Sequence, residues 1–182
     1  MRTIAAERPH QLVFIDESYC KTGMRRDYGW APKGSRAVSL RPFRRWKTLS
    51  LIGAIRLGER PRLMTYDGAV NGAIFLQFIK RRLAPHLCRG DVVVMDNLNF
   101  HKMRVVRQAI ESVGATALYL PTYSPELNPI ERLWADMKRQ LRKIGADTVD
   151  DLLAAVHKFR SGVPYQKITA WFRNAIAHPQ LN

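Results

Sequence analysis

Two short apolar runs without alternation constrain this chain most. Leu12-Val13-Phe14-Ile15 leads into Asp16, and Val92-Val93-Val94-Met95 leads into Asp96. A strand with one wet face alternates apolar and polar residues. Four apolar residues in a row mark instead a strand buried on both faces, at the centre of a helix-covered sheet. Carboxylates at the ends of such strands fall where open α/β sheets place their ligands. A third acid, Glu131, follows Asp96 after thirty-four residues, in the helix-starting segment Asn128-Pro129-Ile130-Glu131. Three hard oxygen donors on a very basic chain point to divalent cations acting on a phosphate backbone.

The remaining periodicities predict further strands near Lys47–Arg56, Arg62–Tyr66 and Ala117–Leu120, beside those over 11–16 and 91–96. Residues 17–45 read as a Gly/Arg-rich hairpin region. Helices are expected over 71–84, from His101 to Val113, from Pro129 to Lys143, and in a closing pair over Val149–Phe159 and Tyr165–Ala177. Strands come first in hairpins and then alternate with helices. The expectation is an α/β fold, a mixed five-stranded sheet flanked by helices. With no internal repeat and no Gly/Ser linker, residues 1–182 read as a single domain that ends in the helices of about 149–177.

Charge narrows the partner. Thirty Lys+Arg against fifteen Asp+Glu give a formal net charge of +15, an excess that favours polyanions. No apolar stretch approaches the roughly 18 residues that span a bilayer. The N-terminal residues Met1 to Arg8 hold no apolar segment of the kind a secretory leader needs. Nucleic acid is therefore the expected partner rather than a membrane, in a cytoplasmic setting. Cys20 and Cys88 form no C-x-x-C pair, which argues against a zinc ribbon and a disulfide scaffold. Between Lys21 and Lys47, nine Lys/Arg face one acid, Asp27, with Tyr28, Trp30, Phe43 and Trp46 interleaved. Two readings stand: a solvated face, or a DNA-contacting element carried by Arg25, Arg26, Lys33, Arg44 and Arg45.

Each acid also has a structural reading. Asp96-Asn97 suits an Asx turn at a strand end. With Asn128 as N-cap and Pro129 opening the helix, Glu131 stands where a capping-box acid belongs. The combination points the other way. Parallel strands 11–16 and 91–96 bring Asp16 and Asp96 to one sheet edge, and the helix from Pro129 reaches over it. On that helix Ile130, Leu133, Trp134, Met137 and Leu141 form the core stripe. Glu131 borders it at about 60° from Trp134. Ala135, Lys138 and Arg142 share Glu131's stripe, either as a basic track for DNA or as solvated surface. Glu17 is expected on the opposite side of its strand, and Asp91 at the opposite sheet edge. Asp136 is expected on the other side of the helix, paired with Arg139 or Gln140. His101 is expected to start a helix, with Asn97 and His101 as accessory candidates near the site.

Several segments together resemble a known family: Val13-Phe14-Ile15-Asp16-Glu17-Ser18, Gly29-Trp30-Ala31-Pro32-Lys33-Gly34, Met95-Asp96-Asn97 with His101, and the long run from Tyr119 to Trp134. Over roughly residues 10–145 the chain resembles the DDE transposases of the mariner superfamily, in the bacterial insertion sequence 630 branch. That resemblance implies a ribonuclease H-like fold, with Asp16, Asp96 and Glu131 binding two Mg²⁺ (or Mn²⁺). It implies DNA cleavage at transposon ends and strand transfer, with double-stranded DNA as partner and a homodimer in the active complex. The helix-turn-helix module that full-length members carry upstream is expected to be absent, since Asp16 lies so near the start. Two other readings compete: another ribonuclease H-like endonuclease, and a non-catalytic DNA-binding remnant or regulator.

Overall fold

The computed structural model describes residues 7–26, 28–38, 45–122 and 124–176. Five strands form one mixed sheet: β1 (Leu12–Lys21), β2 (Thr48–Arg56), β3 (Arg62–Tyr66), β4 (Val92–Met95) and β5 (Thr116–Tyr119), in the order β3-β2-β1-β4-β5. β2 runs antiparallel to both β1 and β3, whereas β1-β4 and β4-β5 are parallel. Among the described residues five α-helices accompany them: α1 (Gly72–Phe78), α2 (Arg104–Glu111), α3 (Ile130–Ile144), α4 (Val149–Gly162) and α5 (Tyr165–Ile176). No helix of the described residues is long and apolar enough to cross a membrane.

The un-alternating runs sit where their composition requires. Leu12, Phe14, Val92 and Val94 join Leu133, Trp134, Phe159 and Phe172 in a core on the α3–α5 face. Val13, Ile15, Val93 and Met95 join Phe75, Phe78, Val106 and Ile110 on the other face, under α1 and α2. Full burial is worth roughly 1.5–3 kcal/mol for each such side chain, so both faces of β1 and β4 are committed. Successive strand residues point to opposite faces. Asp16 therefore lies on the α3 side and Glu17 on the α1–α2 side.

Several boundaries differ from expectation. β1 does not stop at Asp16; it continues to Lys21, because residues 17–21 pair with β2 from Ile52 to Thr48. Asp16 stands instead just past the last β4 partner of β1. The described residues between β1 and β2 form turns rather than a hairpin, while Phe43 and Arg44 lie outside the described residues. Their base is closed by Thr22 N–H to Lys47 O at 2.9 Å and Lys47 N–H to Thr22 Oγ1 at 3.0 Å. The helix expected over 71–84 is α-helical only to Phe78 and then widens into a π turn over Ile79–Leu83. Asn71 caps its start by accepting from the N–H groups of Ala73 and Ile74.

At the far end of α3, Gly145 adopts φ +67° and its N–H bonds Leu141 O at 2.9 Å. That left-handed cap turns the chain into α4. Asp136 is not on a free side of α3. It is 7 % exposed at the seam with α5, paired to Arg139 as expected and also to Lys167 Nζ at 2.8 Å. Burial pushes its carboxyl up, but the hydrogen bonds from Lys167 and Arg139 outweigh that and hold it below the ordinary value. A depressed carboxyl stabilises the fold above the unfolded-state value and loses that contribution as pH falls through the folded one. Asp136→Asn should cost about 1–2 kcal/mol at neutral pH, since both cations stay partly exposed. Urea unfolding of wild type and variant should converge as pH falls below about 4; a difference that persists unchanged in acid would remove the ion pairs as its cause.

Candidate active site

The register of β1 against β4 sets the site. Leu12 pairs with Val92, Val13 with Val93 and Phe14 with Val94; continued by two residues, it puts Asp16 level with Asp96. The loop after β5 and the first turn of α3 close over that point. Asp16, Asp96 and Glu131 line one open cleft of about 330 Å³, with Asn97, Thr122 and Asn128 on its walls.

Asp16 is 9 % exposed. Its Oδ1 accepts the Glu17 N–H at 2.8 Å, and its Oδ2 accepts the Trp134 indole N–H at 3.2 Å. Burial, then Glu131, then Glu17 push its carboxyl up to about 7, with Asp96 adding to them against the Glu17 N–H. Glu131 is likewise raised, by burial and by Asp96, against the pull of Lys138. Three carboxylates that repel one another across a cleft are a donor set suited to a hard divalent cation, which reverses the sign of that repulsion. As they stand they do not converge on one point: among the described residues no three His, Cys, Asp or Glu side chains are clustered tightly enough to hold one ion. That suits cations such as Mg²⁺, which take one or two carboxylates and complete their shells with water and substrate phosphate oxygens.

Asp96 makes the Asx turn expected of it and also faces the cleft. Its Oδ1 accepts the Leu98 N–H at 3.3 Å in an Asx turn, while its side chain is 41 % exposed at the cleft. The same oxygen lies 2.5 Å from His101 Nδ1. His101 does not start a helix. α2 begins only at Arg104, and the His101 ring, 0 % exposed, turns inward against Phe75 at 4.2 Å. Its Nε2 lies 2.8 Å from Glu17 Oε1. Burial pulls the imidazole down, but hydrogen bonds to Asp96 and Glu17 raise it to about 9. An imidazolium donating to two carboxylates fixes the Asp96 side chain from behind. Glu17 points away from Asp16, as expected, yet belongs to the site's support through His101. No local signal joins residues 84 positions apart, and only the strand's alternation hinted at the direction.

Glu131 does not take up the capping role that its motif offers. α3 begins at Ile130, and Pro129 stands at the cap with no side-chain cap bond. Asn128 Oδ1 accepts from Ile130 N–H at 3.4 Å, one position short of a capping box. Among the described residues no capping hydrogen bond of Glu131 forms, and Glu131 lines the cleft. Asp91 lies at the other sheet edge, held by Arg56 and the Cys88 N–H. Asn97 donates to Thr122 Oγ1 at 3.4 Å.

The basic residues divide. Lys138 lies 4.9 Å over the Tyr19 ring and close enough to Glu131 to act on its charge. Arg142 continues that track into a second cleft of about 340 Å³, lined with Arg26, Tyr28, Trp30 and Lys143. Tyr28 and Trp30 are 92 % and 103 % exposed. Lys33 and Arg45 are exposed; Arg44 lies outside the described residues. Arg25 departs from expectation, since its Nη2 donates to both Asp147 oxygens at 2.8 Å, tying the chain after β1 to the α3–α4 turn.

Comparison with known proteins agrees with this geometry. Residues 11–153 match the family described as DDE superfamily endonuclease. The insertion element IS630 uncharacterized 39 kDa protein of Shigella sonnei is 25% identical over 127 residues, 69% of this chain and 37% of that protein. The chain thus spans little more than a third of that relative. The Mos1 strand transfer complex superposes with a TM-score of 0.72 at 21% identity, over 92% of this chain and 52% of that one. The catalytic domain of Mos1 mariner transposase gives 0.66 at 17% identity, over 96% and 82%. These likenesses show the ribonuclease H-like fold. The family match spans most of the chain and covers all three cleft acids; the chain belongs to the DDE superfamily endonucleases.

Proposed function

We propose that this chain is the catalytic domain of a transposase, cutting DNA strands at transposon ends and transferring them to target DNA as part of a homodimeric complex. The observation that carries this reading is the meeting of Asp16, Asp96 and Glu131, from β1, the end of β4 and the start of α3, on one electrostatically coupled cleft. The family match and the Mos1 paired end complexes, solved with Mn and with Mg, support DNA and a divalent cation as its partners.

Asp16, Asp96 and Glu131 are the residues that would hold the two Mg²⁺ or Mn²⁺ ions. When bound, the ions supply positive charge for in-line attack at phosphorus, on the attacking and the leaving oxygens. The chain's own residues do the rest. The carboxylates supply oxygen donors and leave coordination positions open for water and phosphate. His101 and Trp134 hold two of those carboxylates in place. Lys138, Arg142 and Lys143, with Arg26 across the second cleft, offer cations along which a phosphate backbone can run, and Trp30 and Tyr28 offer faces for bases to stack.

Asp16→Asn and Asp96→Asn keep side-chain shape and remove the charge that holds a cation. Each should cut Mg²⁺-dependent nicking of supercoiled plasmid at least about a hundredfold, a loss of roughly 2.7 kcal/mol in transition-state stabilisation. Glu131→Gln should lose as much with no change in thermal stability, because Glu131 makes no cap bond to lose. A fully active Glu131→Gln chain would remove that residue from the site.

The DNA path has its own test. Removing Arg26, Arg142 and Lys143 together by alanine substitution should weaken binding to all duplex sequences alike. It should also flatten the slope of log K against log salt by about 0.9 for each lost phosphate contact. Fluorescence anisotropy across a NaCl series reads both quantities, and an unchanged slope would place the backbone elsewhere. Arg25 is kept intact in that variant, because its loss would free Asp147 and disturb the α3–α4 turn.

A further inference from the structure

Directly across the sheet from Asp16, the paired residue on β2 is Gly53. A Cβ placed there would lie 2.5 Å from Trp134 Cη2 and 2.8 Å from Leu63 Cδ2. Position 53 is therefore glycine for space: the Trp134 indole occupies the volume any side chain would need. The indole is 2 % exposed, and its Nε1 donates to Asp16 Oδ2 at 3.2 Å. Trp134 follows Glu131 by three residues on α3, so the two are neighbours on one helix surface. A single helix thus brings one acid to the cleft and, one turn on, a hydrogen-bond donor to another acid.

A buried tryptophan is first of all a large piece of core, and its N–H needs some acceptor. What exceeds packing here is the identity of the acceptor and the way Asp16 is held. One oxygen takes the Glu17 N–H and the other the indole N–H. Each carboxylate oxygen has two acceptor positions, so two donors from different elements fix the plane of the carboxylate and leave one position on each oxygen.

We propose that Trp134 is a positioning residue for the metal site, its indole N–H locking the Asp16 carboxylate in the orientation that receives a cation, and that Gly53 is the space that lets it do so. The inference rests on the reading of Asp16 as a metal ligand. The hydrogen bond is a second layer around that ligand, and losing such partners typically weakens metal binding 10–100-fold.

The decisive variant changes one atom. Incorporation of 3-benzothienyl-alanine at position 134 puts sulfur where the indole has N–H and keeps the bicyclic shape. Trp134→Phe and Gly53→Ala act as independent variants, the first removing the donor and the second displacing it. Mn²⁺ binding to the whole chain is measured by the electron paramagnetic resonance signal of free Mn²⁺, alongside melting temperature and the Mn²⁺ dependence of nicking. The expected result is a dissociation constant raised about tenfold or more in the benzothienyl chain. Its melting temperature should stay close to wild type, and its nicking rate should recover as Mn²⁺ is raised. Gly53→Ala should shift Mn²⁺ binding in the same direction. Unchanged Mn²⁺ binding in the benzothienyl chain, with binding lost in Asp16→Asn, would overturn the role of the indole alone. Unchanged binding in Asp16→Asn would instead overturn the metal-site reading on which it rests.

Discussion

Asp16 and Asp96 sit level because β1 and β4 run parallel in one register, and the rest of the site is arranged around that pairing. A slip of a single residue would turn one strand's side chains to the opposite face. The register is held by burial on both sides: Val13 and Val93 under α1 and α2, Phe14 and Val94 under α3, α4 and α5. A polar face would tolerate slippage, whereas two apolar faces do not. The cost of bringing like charges together is thus offset by packing that lies outside the cleft.

The site is built in layers that hold two of its acids in place. Asp96 is backed by His101, which is backed by Glu17 from the opposite face of the sheet. Asp16 is backed by Trp134 from α3 and by its own strand's N–H. Among the described residues Glu131 has no backing hydrogen bond, and it is raised chiefly by burial, with Asp96 adding to it. Two acids are therefore held firmly, and the third sits on a helix end.

Much of this architecture was legible beforehand, for identifiable reasons. The un-alternating runs announced doubly buried strands, and β3 falls where expected, over Arg62–Tyr66. The stripe of Ile130, Leu133, Trp134, Met137 and Leu141 is buried throughout. What misled was local chemistry with more than one outlet. Asn128-Pro129-Ile130-Glu131 carries the signature of a capping box, yet the helix begins one residue later and frees Glu131. Residues 17–21 look like the start of a loop because they are polar, yet pairing with β2 extends β1 through them. Arg25 belongs to a basic run, but its Nη2 is taken up by Asp147, more than a hundred residues away.

By itself the sequence determined the two buried strands, the helical stripe and the basic excess, and it singled out the three acids that meet at one cleft, because each is written in local periodicity, composition or motif. Only the tertiary structure decided what holds those acids. Glu17 and His101 are 84 positions apart, Asp16 and Trp134 are 118 apart, and the space at Gly53 is taken by the side chains of Trp134 and Leu63. Such contacts come from which faces of separate elements meet. That is fixed by burying both sides of one sheet at once, and no stretch of chain carries it alone.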